Sequence, residues 1–161
     1  MAQVLSSFKN GFAGAVSRAV DSIIVSLANL SGSAIPFGAP LFLRSAGDSV
    51  IPYNSSVIQD ASAFLGFAVR IADKTPETYG SAAASYAAGE PVDVLVRGTM
   101  VVPMEGTCYA GGPVYLRKSD GRLTANAGAA DSTILLPNVS IRRPKDSAGF
   151  AEVVVRTRNL I

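Results

Sequence analysis

The clearest pattern of apolar and polar positions runs from Tyr86 to Gly106, "YAAGEPVDVLVRGTMVVPMEG". Val92, Val94 and Val96 alternate with Asp93, Leu95 and Arg97, the period of two that sends successive side chains to opposite faces of a strand. Gly98 interrupts the alternation, where a bulge or tight bend is expected. "TMVVP" then resumes in extended form as far as Pro103. The stretch predicts one long, bent, half-buried strand of the kind that turns a corner in a small barrel.

The rest of the chain divides in the same way. Strands are predicted near Ile23–Leu27 and Pro40–Arg44, the second after a Pro-Phe-Gly turn. Phe64–Ile71 reads as a buried strand. "GGPVYLRKSDGRLTA" is a hairpin, with Val114–Arg117 going out and Arg122–Ala125 returning. Asp120-Gly121 supplies the positive-φ residues of its turn. "STILLPNVSIRR" and "GFAEVVVRTRNL" complete the set. In the latter, Ala151, Val153 and Val155 alternate with Glu152, Val154 and Arg156. Short strands cut by Gly and Pro predict an all-β fold, a small barrel or sandwich of jelly-roll or tulip-like form. Gly11 and Gly14 disfavour a helix interior. Residues 1–20 are therefore expected to form an extended, flexible arm that orders on a partner. Residues 21–161 are expected to form a single β domain. Residues 72–88, small and polar, read as a long loop suited to contacting a partner.

Composition narrows the function. The chain has 161 residues, one domain's worth, with 48% hydrophobic and only 16% charged residues, against roughly 25% charged in typical soluble domains. Low charge with many small residues points to a surface partly covered by partners. A net charge of +2 is too small to argue for nucleic acid. The single Cys108 allows no disulfide within the chain. Histidine is absent, which removes the usual general base, the commonest transition-metal ligand and the physiological pH switch together. No targeting segment is read, because Arg18 interrupts the apolar run that follows Lys9. Ser22–Leu43 carries no charge, yet Asn29, Gly32, Pro36, Gly38 and Pro40 suit an extended segment better than a membrane helix.

The candidate chemistry is thin. "GDS", Gly47–Ser49, has the form of a hydrolase nucleophile motif, but no histidine can take the serine proton, and a turn is expected. Ser6 and Lys9 have Ser-Lys spacing in a terminus where nothing would lower the lysine pKa. The carboxylates Asp48, Asp60, Asp73, Glu77, Glu90, Asp93, Glu105, Asp120, Asp131, Asp146 and Glu152 form no recognisable acid/base pair or calcium loop. Cys108 reads as a small buried apolar residue. Arg142, Arg143 and Lys145 are the densest basic cluster, a solvated loop or a contact for an acidic patch. They lack the interleaved aromatics of nucleic-acid binders. The expectation is no catalytic residue, no cofactor and no metal.

The order of motifs adds a further signal. "DSIIVSLANLSGSAIPFGAPLFL" precedes "FLGFAVR", then "YAAGEPVDVLVRGTMVVP", "AGGPVYLRKSDGRLTA" and a terminal "GFAEVVVRTR". Over residues 20–158 this resembles the capsid cement, or decoration, proteins of tailed bacteriophages. The resemblance implies a non-enzymatic β-barrel or β-sandwich virion protein on the outer surface of the phage capsid. Its implied partners are the major capsid protein and copies of itself, a trimer favoured over a dimer, with no nucleic acid and no membrane. Two other readings stand beside it. One is another phage structural component, such as a head-fibre base, tail-tube or head–tail connector protein. The other is a small barrel enzyme using carboxylates, which a cleft of close, buried acids would support.

Overall fold

The computed structural model describes residues 9–71 and 85–157. Among them are eleven strands and no helix: β1 (Val16–Asn29), β2 (Ile35–Pro36), β3 (Pro40–Leu43), β4 (Ser49–Pro52), β5 (Phe64–Ala68), β6 (Ser85–Tyr86), β7 (Pro91–Pro103), β8 (Pro113–Arg117), β9 (Leu123–Thr124), β10 (Thr133–Arg143) and β11 (Phe150–Val155). The all-β expectation holds. The strands predicted from alternation are present, while β2, β4 and β6 were not foreseen. Pro52 and Pro36 sit at the ends of two of these short strands, where a missing N–H is tolerated.

Nine strands form one continuous sheet in the order β1-β4-β3-β5-β7-β11-β10-β8-β9, and β2 pairs with β6. Because β1 bonds to both β4 and β7, the strands β1, β4, β3, β5 and β7 close into a ring. The β1–β4 pairing is parallel and the others in the ring are antiparallel. A bridge from Glu105 to Thr124 brings β9 back towards the end of β7 on the other side.

Alternation sorts the side chains into two cores. Leu41, Val50, Leu65, Val92, Val94 and Val96 belong to one, together with Ile35, Phe37 and Tyr86. Phe42, Ile51, Phe64, Phe67 and Leu95, on the opposite face of the same strands, meet Leu116, Leu136, Ile141 and Val153 in a larger one. The phenylalanines contact edge-to-face, with centroids 5.8 Å apart for Phe42–Phe64 and 5.4 Å for Phe64–Phe67. Full burial of each stabilises by about 1.5–3 kcal/mol.

β7 is common to both cores, and at Gly98 the parity that faces the larger core changes. Before it, the odd-numbered Leu95 faces the larger core; after it, the even-numbered Met100 and Val102 do, followed by Met104. Gly98 adopts φ +124°, and the alternation reverses there. A Cβ at Gly98 would stand 2.9 Å from Ser22 Oγ and 3.1 Å from Ser22 Cα, so only glycine lets β1 approach. The bend expected at Gly98 is therefore a change of face.

β1 starts at Val16, earlier than the pattern places it. Of the segment expected to be an arm, residues 1–8 lie outside the described residues, and the remainder is tied to the domain. Asn10 N–H donates to Asp146 Oδ2 at 2.7 Å, and Asn10 Nδ2 donates to Pro144 O at 2.8 Å and Phe150 O at 2.7 Å. Gly14 N–H donates to Val101 O, and Gly14 O accepts from Arg70 N–H, both at 2.8 Å. Most of the expected loop, residues 72–84, also lies outside the described residues. It leads into β6, where Tyr86 is buried, donates to Val69 O at 2.7 Å and meets Phe37 edge-on.

Candidate interaction surface

The sheet's outer face gathers residues that are far apart in the chain. Antiparallel pairing aligns Arg18 with Thr99, and Thr99 with Val154, which pairs in turn with Ser140. Arg97, just before the Gly98 reversal, and Arg156, just beyond β11, line the same depression as Arg18, Thr99 and Val154. Arg156 Nε donates to Ser140 Oγ at 3.1 Å. A register shift between Ile141 and Arg143 brings Arg142 and Arg143 together beside Glu152, which pairs with Arg143. Their Nε atoms stand 3.7 and 3.8 Å from its carboxylate. Ser17 Oγ donates to the same carboxylate at 2.8 Å. Glu152 is 6% exposed, the one buried carboxylate among the described residues, and this network satisfies it.

Opposite Gly98, β1 bulges. Arg18 pairs with Thr99 and Ile23 with Arg97, so residues 19–22 stand against Gly98 alone. Ser22 Oγ donates back to Arg18 O at 2.7 Å and closes the bulge. Asp21 lies 3.7 Å from Arg97. Val20, Ile23 and Ile24 are exposed on the same strand, and Ile23 pairs with Arg97.

A second charged group sits on the β8–β9 hairpin. Glu105 bonds Arg122 at 2.5 Å and Arg117 at 2.8 Å, and Arg117 also bonds Asp120. The Arg117 hydrogen bond holds the Asp120 carboxyl down to about 2, against the smaller opposing effect of burial. Glu105 is lowered chiefly by its hydrogen bond from Arg122. At Asp146, burial acts to raise the carboxyl, but the N–H groups of Asn10, Phe150, Ala148 and Gly149 together bring it below its ordinary value. These acids brace turns. Beside the hairpin, Phe37, Pro40, Pro103, Met104 and Leu123 line a mainly apolar cavity of about 480 Å³.

The other candidates from the sequence fall into structural places. Ser49 is buried at the start of β4 and donates to Asp48 Oδ1 at 2.9 Å, in the turn that joins β3 to β4. Cys108 is buried in the larger core, with Lys145 N–H 2.9 Å from its sulfur. Among the described residues, no three or more Cys, Asp or Glu gather as metal ligands. Arg142 and Arg143 were legible as a cluster; Arg18, Arg97 and Arg156 were not, because only strand pairing brings them there. Of these three only Arg97 adjoins the Gly98 break in the sequence.

Surfaces of this kind, basic and apolar side by side on a rigid β framework, define a protein that works by contact. Residues 2–156 match the family model described as structural cement protein (E217 gp24/Pam3 gp6), and the chain belongs to that phage cement family. It is a family of structural proteins of the phage capsid, not of enzymes. The fold is similar to that of a chain in "The capsid of Myoviridae Phage XM1", with a TM-score of 0.71, 19% identity and 96% of each chain covered. No curated protein matches the chain.

Proposed function

We propose that the protein is a homotrimer on the outer surface of an assembled phage head, where it binds the major capsid protein and holds neighbouring capsomers together. The match to the structural cement family over residues 2–156 carries this reading. A trimer engages several shell sites at once, so weak contacts sum to tight attachment. The exposed apolar residues of β1 suit contact between copies. The contact segments proposed are residues 2–20 and 72–88. Asn10 and Gly14 are bonded into the domain, so the informative cut removes residues 2–8 only.

The test is reconstitution on heads that lack the protein. Copies per head should approach those of the major capsid protein, the temperature of head disruption should rise, and the free protein should sediment as three chains. Deleting residues 2–8 should weaken head binding about tenfold, roughly 1.4 kcal/mol, while leaving the trimer intact. A few copies confined to one vertex, or none on the shell, would replace this reading with a connector, tail-tube or fibre-base role.

A further inference from the structure

Arg18, Arg97, Arg142 and Arg156 line one cavity on the outer face of β7, β10 and β11, with Asp21 at its edge and Thr99 in its wall. The cavity measures about 110 Å³. Small-molecule sites run to roughly 300–1,000 Å³, so this one accepts a functional group, not a whole ligand. Four arginines line the cavity against one exposed carboxylate, Asp21, which stands 3.7 Å from Arg97, while Arg142 also reaches Glu152 and Arg156 donates to Ser140. Glu152 is already engaged by Ser17, Arg142 and Arg143. Thr99 Oγ1 is buried and has no hydrogen-bond partner, a state that is rare in folded proteins. The site thus holds surplus positive charge and an unused hydroxyl donor.

We propose that this cavity is a carboxylate-binding pocket that receives an aspartate or glutamate side chain from an acidic segment of a protein partner. Guanidinium groups match carboxylates in planar, paired hydrogen bonds. The choice of a protein segment over nucleic acid rests on the margin of the pocket. Ile23, exposed on β1, pairs with Arg97 of the cavity wall. Arginine next to exposed apolar side chains is the composition of protein interfaces, whereas nucleic-acid surfaces are more polar and more extensively basic. The inference rests on the sheet geometry and stands apart from the capsid reading.

The test titrates the full-length ¹⁵N-labelled protein with the peptide acetyl-Glu-Val-Glu-Val-Glu-amide at low salt. Saturable shift changes should appear at the amides of Arg97, Thr99 and Val154 and at the arginine Nε–H signals. The double variant Arg97→Ala/Arg156→Ala should weaken binding about tenfold, as loss of a charge-assisted pair requires. Both side chains are exposed, so the fold should survive. Lys9→Ala/Arg44→Ala removes the same charge elsewhere and should leave binding within about twofold. Absence of shifts, equal weakening in the two double variants, or tighter binding of an oligothymidylate at the same residues would each overturn the proposal.

Discussion

At the scale of single residues, Gly66 is the most closely approached of the described glycines. A Cβ there would lie 2.0 Å from the backbone oxygen of Leu95. The neighbour is β7 main chain, which cannot rotate away as a side chain could. Gly66→Ala should therefore force β5 from β7 beside the Phe67–Leu95 pair and destabilise by about 3 kcal/mol or more. A urea titration checks this, and a loss within about 0.5 kcal/mol would contradict it. Nothing in "FLGFAVR" distinguishes this glycine from one in a turn. Asn29 was equally hidden. Fully buried, it donates to Ser33 O and Ala87 O and accepts from Ser31, which ties two loops together. Sequence exposes a residue's type, while its partners depend on which distant segment comes to lie beside it.

At the scale of elements, the β8–β9 hairpin and the 146–150 turn contribute acid sensitivity. Asp120, Glu105 and Asp146 all have carboxyls held below their ordinary values. Groups of this sign add stability that is fully present above their unfolded values, about 3.9 for Asp and 4.3 for Glu, and lost as pH falls through the depressed folded values. The thermal midpoint should hold near neutrality and fall between about pH 4 and pH 2. Arg117→Ala should flatten that fall, because Arg117 is the main cause at Asp120. A melting series by circular dichroism checks it, and an unchanged slope would show that these pairs are screened. This hairpin was readable in advance because Asp120-Gly121 and its flanking alternation are local signals. β2, β4 and β6 were not, since two to four residues leave no period to detect.

At the scale of the molecule, the all-β class and the bent strand through Gly98 were legible because they rest on alternation and turn chemistry. The ring, the second core and the arginine face were not, because each depends on pairing between distant strands. Val92, Val94 and Val96 identify a buried face, but Leu95 belongs to a different core, which the pattern on one strand cannot reveal. Since both cores take side chains from β7, neither can be lost without the other. Unfolding should therefore be a single transition, with far- and near-ultraviolet dichroism coincident in urea. Separated transitions would mean that the ring survives on its own.

The reversal at Gly98 has one more consequence. A strand with one unbroken alternation can slide by two residues and still bury an apolar face. β7 cannot, because a slide would carry Gly98 away from Ser22 and set a side chain where only glycine leaves room. The strand thus indexes itself against its neighbours, like a ruler with one notch. That notch fixes the offset between the closed ring and the arginine face, so every copy carries its contact groups at the same spacing.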